Sequence, residues 1–281
     1  MDADTLKSFV TVSECGSFSI AAEKLFVTQP AVSKRISSLE SQLDTRLFDR
    51  IGKQVQLTEA GRVLLPKAQK ILADIHDATR SVKDLTGEVR GDLHVATSHH
   101  IGLHKLPPVL RDFAKHYPKV NLRFEFLDSE VACERVLQGK CELALVTLPP
   151  KTEPPLKAMG IWHDPLVFIA HKTSPLASNT TLEKLSESPA ILPDLNTYTG
   201  QLIQRFFDKH RLKLNISMAT NFLETIKMLC SVGLGWSVLP KSMVDDQLQI
   251  LDVPGITLTR ELGIVRHTGR TLSNAGEAFI H

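Results

Sequence analysis

The sequence contains few cysteines and lacks the apolar segments that mark membrane or exported proteins. Its four cysteines form no CxxC pair and are too scattered for a disulfide scaffold, so reduced thiols are expected. No apolar run reaches the roughly eighteen residues of a membrane-spanning helix. The acidic start MDADTLKSF is unlike a signal peptide. These absences predict a cytoplasmic protein without a membrane partner.

Catalytic motifs and a strong excess of one charge are also missing. The sequence holds no nucleophile elbow, no phosphate-binding glycine loop and no HExxH motif, so we predict no enzyme, no catalytic residue and no cofactor. With 33 basic and 31 acidic residues, the net charge of +2 does not itself indicate nucleic acid. Between Lys24 and Lys53, however, basic residues outnumber acidic ones, which favours a local phosphate-facing patch.

The length of 281 residues suits two or three domains, and the first 58 residues have their own pattern. Apolar residues at helical spacing predict three helices: one ends at Gly16, one begins at Ser17 or Ser19 and ends near Val27, and one runs from about 29 to 43. Thr28 is the expected N-cap of the third helix. The last two helices form a helix-turn-helix, whose later helix can enter the DNA major groove.

Hydrogen-bonding and cationic side chains project from the third helix away from its apolar stripe, among them Ser38. Alternation around Gly52 then predicts a short hairpin, the wing, with a basic tip that reaches the DNA backbone or minor groove. The alternative is a solvated hairpin on a helical domain. The predicted DNA-binding residues are Thr28, Gln29, Pro30, Ser33, Lys34, Ser37, Arg50 and Lys53.

Three runs in this segment form an ordered and specific pattern. They are SFSIAAEKLFVTQPAVSKRISSLESQL at 17–43, LFDR at 47–50 and LTEAG at 57–61. This pattern resembles the DNA-binding signature of LysR-type transcription regulators. The resemblance implies that Gln29, Pro30, Ser33, Lys34 and Arg50 lie at the DNA, which agrees with the local pattern.

A long helix is predicted over residues 59–86, begun by Thr58 and containing Pro66, which should bend it or delay its regular part. Its apolar residues keep a strict heptad spacing: Leu64, Ala68, Ile71, Ile75, Ala78, Val82 and Leu85. Such a stripe favours pairing with a second copy of the helix, which would hold two recognition helices at a fixed spacing. The alternative is packing on its own domain. A hinge is expected at 87–91.

Strands and helices alternate over residues 92–281 and predict an α/β domain with a parallel sheet in two lobes. Lobe I is expected at about 92–163 with 264–281, and lobe II at about 164–263. The predicted elements are strands at 93–97, 120–127, 142–147, 166–171, 190–193, 216–220 and 235–239 and helices at 103–116, 129–138, 199–210 and 222–232.

Ligands of open α/β sheets bind beyond the carboxyl ends of the strands, where helix N-termini offer free amides. Hydroxyl, amide and imidazole groups at these ends predict a small polar or anionic effector: Thr97, Ser98, His99, His100, Ser129, Thr147, Thr199 and Asn221. LPPVLRDFAKHYP at 106–118, GKCELALV at 139–146 and GLGWSVLP at 233–240 resemble the LysR-type pattern more loosely. The resemblance implies a periplasmic-binding-protein-like effector domain with a cleft at Thr97, Ser98, Ser129, Thr147 and near Asn221.

Two further hypotheses concern a metal site at the histidines and a redox switch at the cysteines, and each has a simpler alternative. His94, His99, His100 and His104 cluster near the predicted cleft and could bind a metal or a carboxylate. No acidic or thiol companion is close in sequence, so no metal site is predicted, and exposed loop histidines or effector contacts are favoured. Cys133 and Cys141 suggest a redox switch, because the peroxide-sensing branch of the family uses paired cysteines. That branch carries its pair in the second lobe, whereas these fall in the first, so buried structural thiols are favoured.

The sequence as a whole predicts a LysR-type transcription regulator controlled by a small effector. Its expected partners are double-stranded operator DNA, the effector, and further copies of the chain in a homodimer or homotetramer. RNA polymerase is a further candidate partner. The alternatives from other classes are a redox-responsive regulator, a solute-binding protein of the transport type, and an enzyme built on the α/β domain.

Overall fold

The computed structural model describes residues 1–51, 54–85, 87–178 and 180–281. These residues divide into two compact units, one formed by Met1–Glu88 with Gln138–Lys140 and the other by Val89–Leu137 with Cys141–His281. Within the described ranges, no helix combines the length and the apolar character that a membrane crossing requires. Thr86, the predicted end of the linker helix, lies outside the described residues, and the predicted domain and lobe boundaries stay predictions.

The described part of the first unit contains four helices and one hairpin. They are α1 (Ala3–Cys15), α2 (Phe18–Lys24), α3 (Gln29–Leu43), β1 (Phe48–Ile51), β2 (Gln54–Leu57) and α4 (Glu59–Asp84). The antiparallel pairing of β1 with β2 confirms the predicted hairpin. Helix α2 ends at Lys24, before the predicted end near Val27, because Phe26 adopts a positive φ of 55° that a helix does not allow.

Local signals set the helix ends of this unit. Gly16 ends α1 in the left-handed conformation with φ 59°. The hydroxyl of Ser17 accepts a hydrogen bond from the N–H of Ile20 at 3.4 Å, and Thr58 caps α4 in the same way. Thr28 occupies the N-cap position of α3, but its side chain makes no capping bond to a described residue. The predicted position is therefore right, whereas the predicted capping bond is not formed.

An apolar core holds α1, α2, α3 and the start of α4 together. The ring of Phe48 lies 5.4 Å from that of Phe9 and 5.8 Å from that of Phe18, measured between centroids. Ala21 and Ala22 are buried with small side chains, which allows close helix approach. Each fully buried large apolar side chain stabilises the fold by about 1.5–3 kcal/mol. This core therefore fixes the orientation of α3 and leaves its polar face outside.

The second unit begins with the elements β3 (Gly91–Thr97), α5 (His99–His104), α6 (Leu106–His116), β4 (Val120–Phe126), α7 (Ser129–Leu137), β5 (Leu143–Thr147), β6 (Leu156–His171) and α8 (Leu182–Glu187). It continues with β7 (Ala190–Leu192), α9 (Tyr198–Lys209), β8 (Ile216–Ala219), α10 (Leu223–Ser231), β9 (Ser237–Pro240), β10 (Leu248–Leu251), β11 (Leu258–His267) and α11 (Asn274–Ile280). Most predicted elements are present within a few residues of their expected ends.

Three predictions for this unit are wrong. The single helix at 103–116 is two helices, since α6 starts afresh at Leu106 with prolines in its first turn, where a missing N–H is tolerated. Strand β6 begins at Leu156 rather than 166, and the prediction did not include β10 or β11. The sheet is also not parallel throughout. In the seven-stranded sheet, β4, β3 and β5 pair in parallel, whereas β11 pairs antiparallel with β5 and β6, and β6 pairs antiparallel with β9 and β10. Strands β7 and β8 form a separate parallel pair.

The two long antiparallel strands connect two lobes. We call the group α5–α7, α11 and β3–β5 lobe I, and the group α8–α10 and β7–β10 lobe II. Each lobe has its own buried apolar clusters, and β6 and β11 contribute to both. The pairing of β11 with β6 shifts register between Leu262 and Gly263. A Cβ at Gly263 would collide with the carbonyl oxygen of Met159, so glycine is required at this bulge.

Candidate functional site

The outer face of α3 carries polar side chains over a buried apolar back. Val32, Ile36 and Leu39 are buried in the core of the first unit. Gln29 and Lys34 are exposed on the opposite side. Because the apolar residues fix the rotation of the helix, its polar residues form one continuous face towards solvent.

Two residues of this face are hydrogen-bonded to each other in the absence of DNA. Nε2 of Gln29 donates a hydrogen bond to Oγ of Ser33 at 2.8 Å. The two residues are one turn apart near the start of α3, the end at which a recognition helix contacts base edges. A glutamine amide can bind adenine through two hydrogen bonds, and a serine hydroxyl can serve either as donor or acceptor. The pair therefore has the chemistry of direct base readout.

The other predicted DNA contacts surround this pair. Thr28, Pro30 and Ser37 are exposed. The backbone of Arg50 lies in β1, but its side chain and the whole of Lys53 lie outside the described residues. The assignment of Arg50 and Lys53 to the DNA backbone therefore stays a prediction.

The heptad stripe of α4 has two different environments. Leu64 is half-buried and Ala68 fully buried against the core of the first unit, as the alternative of packing on the same domain requires. Farther along, the stripe is exposed, as shown by Ile75 at 46%, Val82 at 69% and Leu85 at 84%, and Ile71 and Ala78 are also exposed. The helix continues through Pro66. Exposed apolar residues at heptad spacing are the surface that a second helix can cover.

A cavity of about 360 Å³ lies between lobe I and lobe II, a volume suited to a small metabolite. Seven of the eight predicted effector residues line it, namely Ser98, His99, His100, Ser129, Thr147, Thr199 and Asn221. Thr97 does not. Its buried hydroxyl donates to the carbonyl oxygen of Leu145 at 3.0 Å, so it stabilises the strand end behind the cavity.

Four helices begin at this cavity. Their first residues are His99 of α5, Ser129 of α7, Tyr198 of α9 and Leu223 of α10, and all four line the wall. The first N–H groups of a helix have no partner within the helix, and the helix dipole adds partial positive charge there. The wall therefore favours a ligand with hydrogen-bond acceptors or negative charge.

Sequence reasoning missed a buried cation of the wall, Arg260 of β11. Its Nε donates to Oδ2 of Asp164 at 2.8 Å and its Nη1 to Oγ1 of Thr199 at 2.8 Å, while Nη2 is buried without a partner among the described residues. Burial lowers the pKa of Arg260 from its ordinary value, and the carboxylate of Asp164 opposes that shift. One nitrogen of the guanidinium therefore lacks a hydrogen-bond partner within the described ranges.

A buried histidine lies beside this ion pair. His100 is 5% exposed, and neither ring nitrogen has a partner in the described part of the chain. Burial, aided by the nearby charge of Arg260, lowers the pKa of His100 to about 3, so the ring is neutral at physiological pH. At the mouth, the ring of His99 lies 5.5 Å from that of Phe222 and 6.1 Å from that of Phe126.

Hydrogen bonds across the cavity connect the lobes. Nδ2 of Asn221 donates to Oδ2 of Asp128 at 2.7 Å, and the N–H of Tyr198 donates to a carboxylate oxygen of Glu130. Burial raises the pKa of Glu130. The effector residues predicted from sequence did not include Asp128, Glu130 or Tyr198, although each directly precedes or follows a predicted helix start. A ligand that displaces these bonds would change how the lobes are held.

The cysteines of the redox hypothesis are buried. Cys133 lies on α7 and Cys141 precedes β5, and neither forms a disulfide. Burial raises the pKa of the Cys133 thiol to about 11, which disfavours the reactive thiolate. These environments support the simpler hypothesis of structural thiols.

Two protein-family models match the chain. The model described as "Bacterial regulatory helix-turn-helix protein, lysR family" matches residues 3–62. The model described as "LysR substrate binding domain" matches residues 86–281, which is more than half of the chain.

The chain is also similar to individual transcriptional regulators and to a solved structure of one. An uncharacterized HTH-type transcriptional regulator from the ibpB-leuC intergenic region of Azotobacter vinelandii is 59% identical over 108 residues, which is 38% of this chain and 75% of that protein. A probable RuBisCO transcriptional regulator of Trieres chinensis is 31% identical over 94% of this chain and 90% of its own length. The crystal structure of full-length CbnR in complex with its target DNA has a similar fold, with a TM-score of 0.65 at 20% identity, covering 100% of this chain and 97% of that one.

Proposed function

The chain belongs to the LysR family of transcriptional regulators, and from this premise we propose which of its residues bind operator DNA and which bind the effector. One observation carries the proposal for DNA: the outer face of α3 is polar and exposed over an apolar back. Gln29 and Ser33 read base edges in the major groove. Lys34, with Arg50 and Lys53 of the wing, contacts phosphates. Thr28, Pro30 and Ser37 border the same contact.

The effector occupies the cavity between the lobes, and it is a small polar or anionic molecule. The free N–H of Arg260, the hydroxyls of Ser98 and Thr199, and the helix N-termini supply donors for carboxylate, phosphate or hydroxyl oxygens. Asp164 already neutralises part of the charge of Arg260, so a ligand with one negative group fits better than a polyanion. The aromatic rings at His99 suit a flat or apolar part of the ligand.

The chain acts as a homodimer or a homotetramer. The exposed distal half of the α4 stripe, from Ile71 to Leu85, pairs with the same surface of a second copy. Two copies place two recognition helices on two half-sites one helical turn or multiples of a turn apart. The structure of CbnR with its target DNA supports DNA binding by a chain of this fold. RNA polymerase is a further candidate partner.

Effector binding changes the affinity or spacing of DNA contacts only if the effector binds one arrangement of the lobes better than another. The hydrogen bonds of Asn221 with Asp128 and of Tyr198 with Glu130 are the contacts between lobes that an effector would replace or strengthen. We further infer that the protein acts in the cytoplasm and has no catalytic activity of its own. The named relatives are regulators, which supports that inference.

The test is selection of duplexes from a random library by the full chain at moderate salt. We expect enrichment of a sequence with two related half-sites, and loss of its footprint when Gln29, Ser33, Lys34 and Arg50 are all replaced by alanine. Replacing Lys213, a basic residue of the second unit, gives a control that keeps the recognition face. Absence of any enriched sequence, or an unchanged footprint in the fourfold variant, would refute the assignment.

A second measurement tests the cavity. The full chain is heated with a panel of small carboxylates, phosphates and sugars, and a bound ligand raises the unfolding temperature. Replacing Thr199 with valine should abolish the shift produced by an active compound, because the valine keeps the volume and removes the hydroxyl. An active compound that stabilises the Thr199→Val chain equally binds elsewhere, and the cavity assignment then fails.

A further inference from the structure

Three side chains that can bind a metal ion meet beside the cavity. His100 and His104 lie one turn apart on α5, and Glu224 lies in the first turn of α10. One ligand atom from each residue lies within 4.8 Å of the others. Because α5 belongs to lobe I and α10 to lobe II, the three residues bring the two lobes together at one point.

The spacing of the two histidines is that of a known type of metal site. Residues four apart lie on the same face of a helix, and two histidines at this spacing supply two zinc ligands in helical metal sites. A carboxylate from another element completes a set of two nitrogens and one oxygen. This set is absent from the local sequence pattern because Glu224 is 120 positions beyond His104.

Among the described residues, His100 has no hydrogen-bond partner that would explain its position. It is 5% exposed, and both ring nitrogens lack hydrogen bonds within the described ranges. Oδ2 of Asp164 is 4.0 Å from Nε2 of His100, which is too far for a hydrogen bond, and it already accepts one from Arg260. Buried polar groups are normally paired, so this ring requires an explanation.

The contact between His104 and Glu224 does not explain the position of His100. Nε2 of His104 lies 2.7 Å from Oε1 of Glu224. That contact uses one carboxylate oxygen, while Oε2 of Glu224 is also buried without a partner in the part of the chain that the structure describes. A bound cation would use the lone pairs of both imidazoles and the negative charge of the carboxylate.

We propose that His100, His104 and Glu224 bind a divalent transition-metal ion, with zinc as the first candidate, and that the ion ties α5 to α10. Two imidazoles and one carboxylate suit zinc, nickel or iron better than magnesium or calcium, which prefer oxygen ligands. The side chains of His104 and Glu224 are 38% and 35% exposed, so an ion can enter from solvent. Bound metal favours the arrangement in which the lobes are close at this point.

The experiment uses the untagged full chain after treatment with a chelator and removal of the chelator. Calorimetric titration with zinc chloride should give one ion per chain, and cobalt(II) should give a visible absorption band typical of nitrogen and oxygen ligands. His104→Gln and Glu224→Gln should each weaken zinc binding at least about 10-fold. Both residues are at the surface, so these variants avoid the risk of misfolding that His100→Ala carries. His116→Gln is the matched control, since His116 lies on α6 and bonds to the backbone of Asp112.

The outcomes separate this proposal from the proposed function. A wild-type chain that binds no zinc, or two variants that bind zinc as tightly as the wild type, overturns the metal site. Duplex binding of the same preparations is measured in the presence of chelator. A chain that binds its duplex but no zinc refutes only the metal site, whereas a chain that binds zinc through these residues but no duplex refutes only the assignment of the DNA-binding residues.

Discussion

The polar face of α3 and the polar wall of the cavity are held in place by opposite means. On α3, Gln29 and Lys34 stay in water, and only the apolar residues behind them are buried. Arg260 of the cavity wall and its ion-pair partner Asp164 are themselves buried, at 8% and 2% exposure, and each compensates the charge of the other. Changes on the first surface should therefore affect binding with little loss of stability, whereas changes in the second should affect stability first.

The largest effect is expected from Arg260→Met. This change leaves the buried carboxylate of Asp164 without its cation, and removing one partner of a buried ion pair reduces the free energy of unfolding by about 3–5 kcal/mol. Urea unfolding followed by tryptophan fluorescence measures it selectively, because both tryptophans, Trp162 and Trp236, lie in the second unit. A loss below about 1 kcal/mol would contradict the role given to the pair.

The double variant Asp164→Leu with Arg260→Met is the control for that measurement. Replacing both charges by apolar groups of similar size is often neutral, so the double variant should regain most of the lost stability. Its effector response should still be absent, since the free guanidinium N–H is gone. A double variant that is less stable than Arg260→Met would show that the cavity depends on more than this compensation.

Gln29→Ala and Ser33→Ala should have the second-largest effect, on discrimination between duplexes. Each is expected to reduce the free-energy difference between the selected duplex and one altered at the contacted base pair by about 1–3 kcal/mol. Because the two side chains are hydrogen-bonded to each other, the double variant should lose less than the sum. Competition gel shifts measure this, with Gln42→Ala at the far end of α3 as the control. If Gln42→Ala loses as much discrimination between duplexes, base recognition does not depend specifically on Gln29 and Ser33.

Features set by neighbouring residues could be predicted from the sequence, whereas features set by distant residues could not. The end of α1 and the starts of α2 and α4 follow from local signals, namely Gly16, Ser17 and Thr58, and residue patterns could predict them. The antiparallel part of the sheet could not be predicted in this way, because β6 and β11 pair residues that lie about ninety to a hundred and ten positions apart, such as Leu166 with Leu258. Periodicity reports which face of a segment is buried but not which segment covers it.

The cavity shows the same limit at the level of single residues. The rule that ligands bind at the carboxyl ends of strands brings out Ser98, Ser129 and Thr147, since each follows or ends a strand. Arg260 lies within a strand and acts through a partner 96 positions away, so that rule passes over it. Its one signal is alternation: Leu258, Arg260 and Leu262 share the buried side of β11, where an arginine is unusual.

Thr58→Ala should have a smaller effect, confined to the first unit. Its hydroxyl accepts a hydrogen bond from the N–H of Gly61 at 3.0 Å and donates one to the carbonyl oxygen of Arg46 at 2.8 Å. Loss of an N-cap reduces stability by about 1 kcal/mol. Urea unfolding followed by circular dichroism should show this loss while tryptophan fluorescence is unchanged. Thr58→Ser keeps both bonds and should behave like the wild type, and if it does not, packing of the methyl group matters more than the cap.

The smallest effect is expected from Lys34→Ala, and it separates the two kinds of contact on α3. A lysine that neutralises one phosphate releases about one counterion, so its removal should reduce the slope of log affinity against log salt by about 0.9. Affinity should fall by a similar factor for selected and altered duplexes, because a phosphate carries no base identity. Lys213→Ala removes the same charge from the second unit and should leave the slope unchanged. If Lys34→Ala instead changes the preference among duplexes, its ammonium group contacts a base edge, and the polar face of α3 reads sequence beyond Gln29 and Ser33.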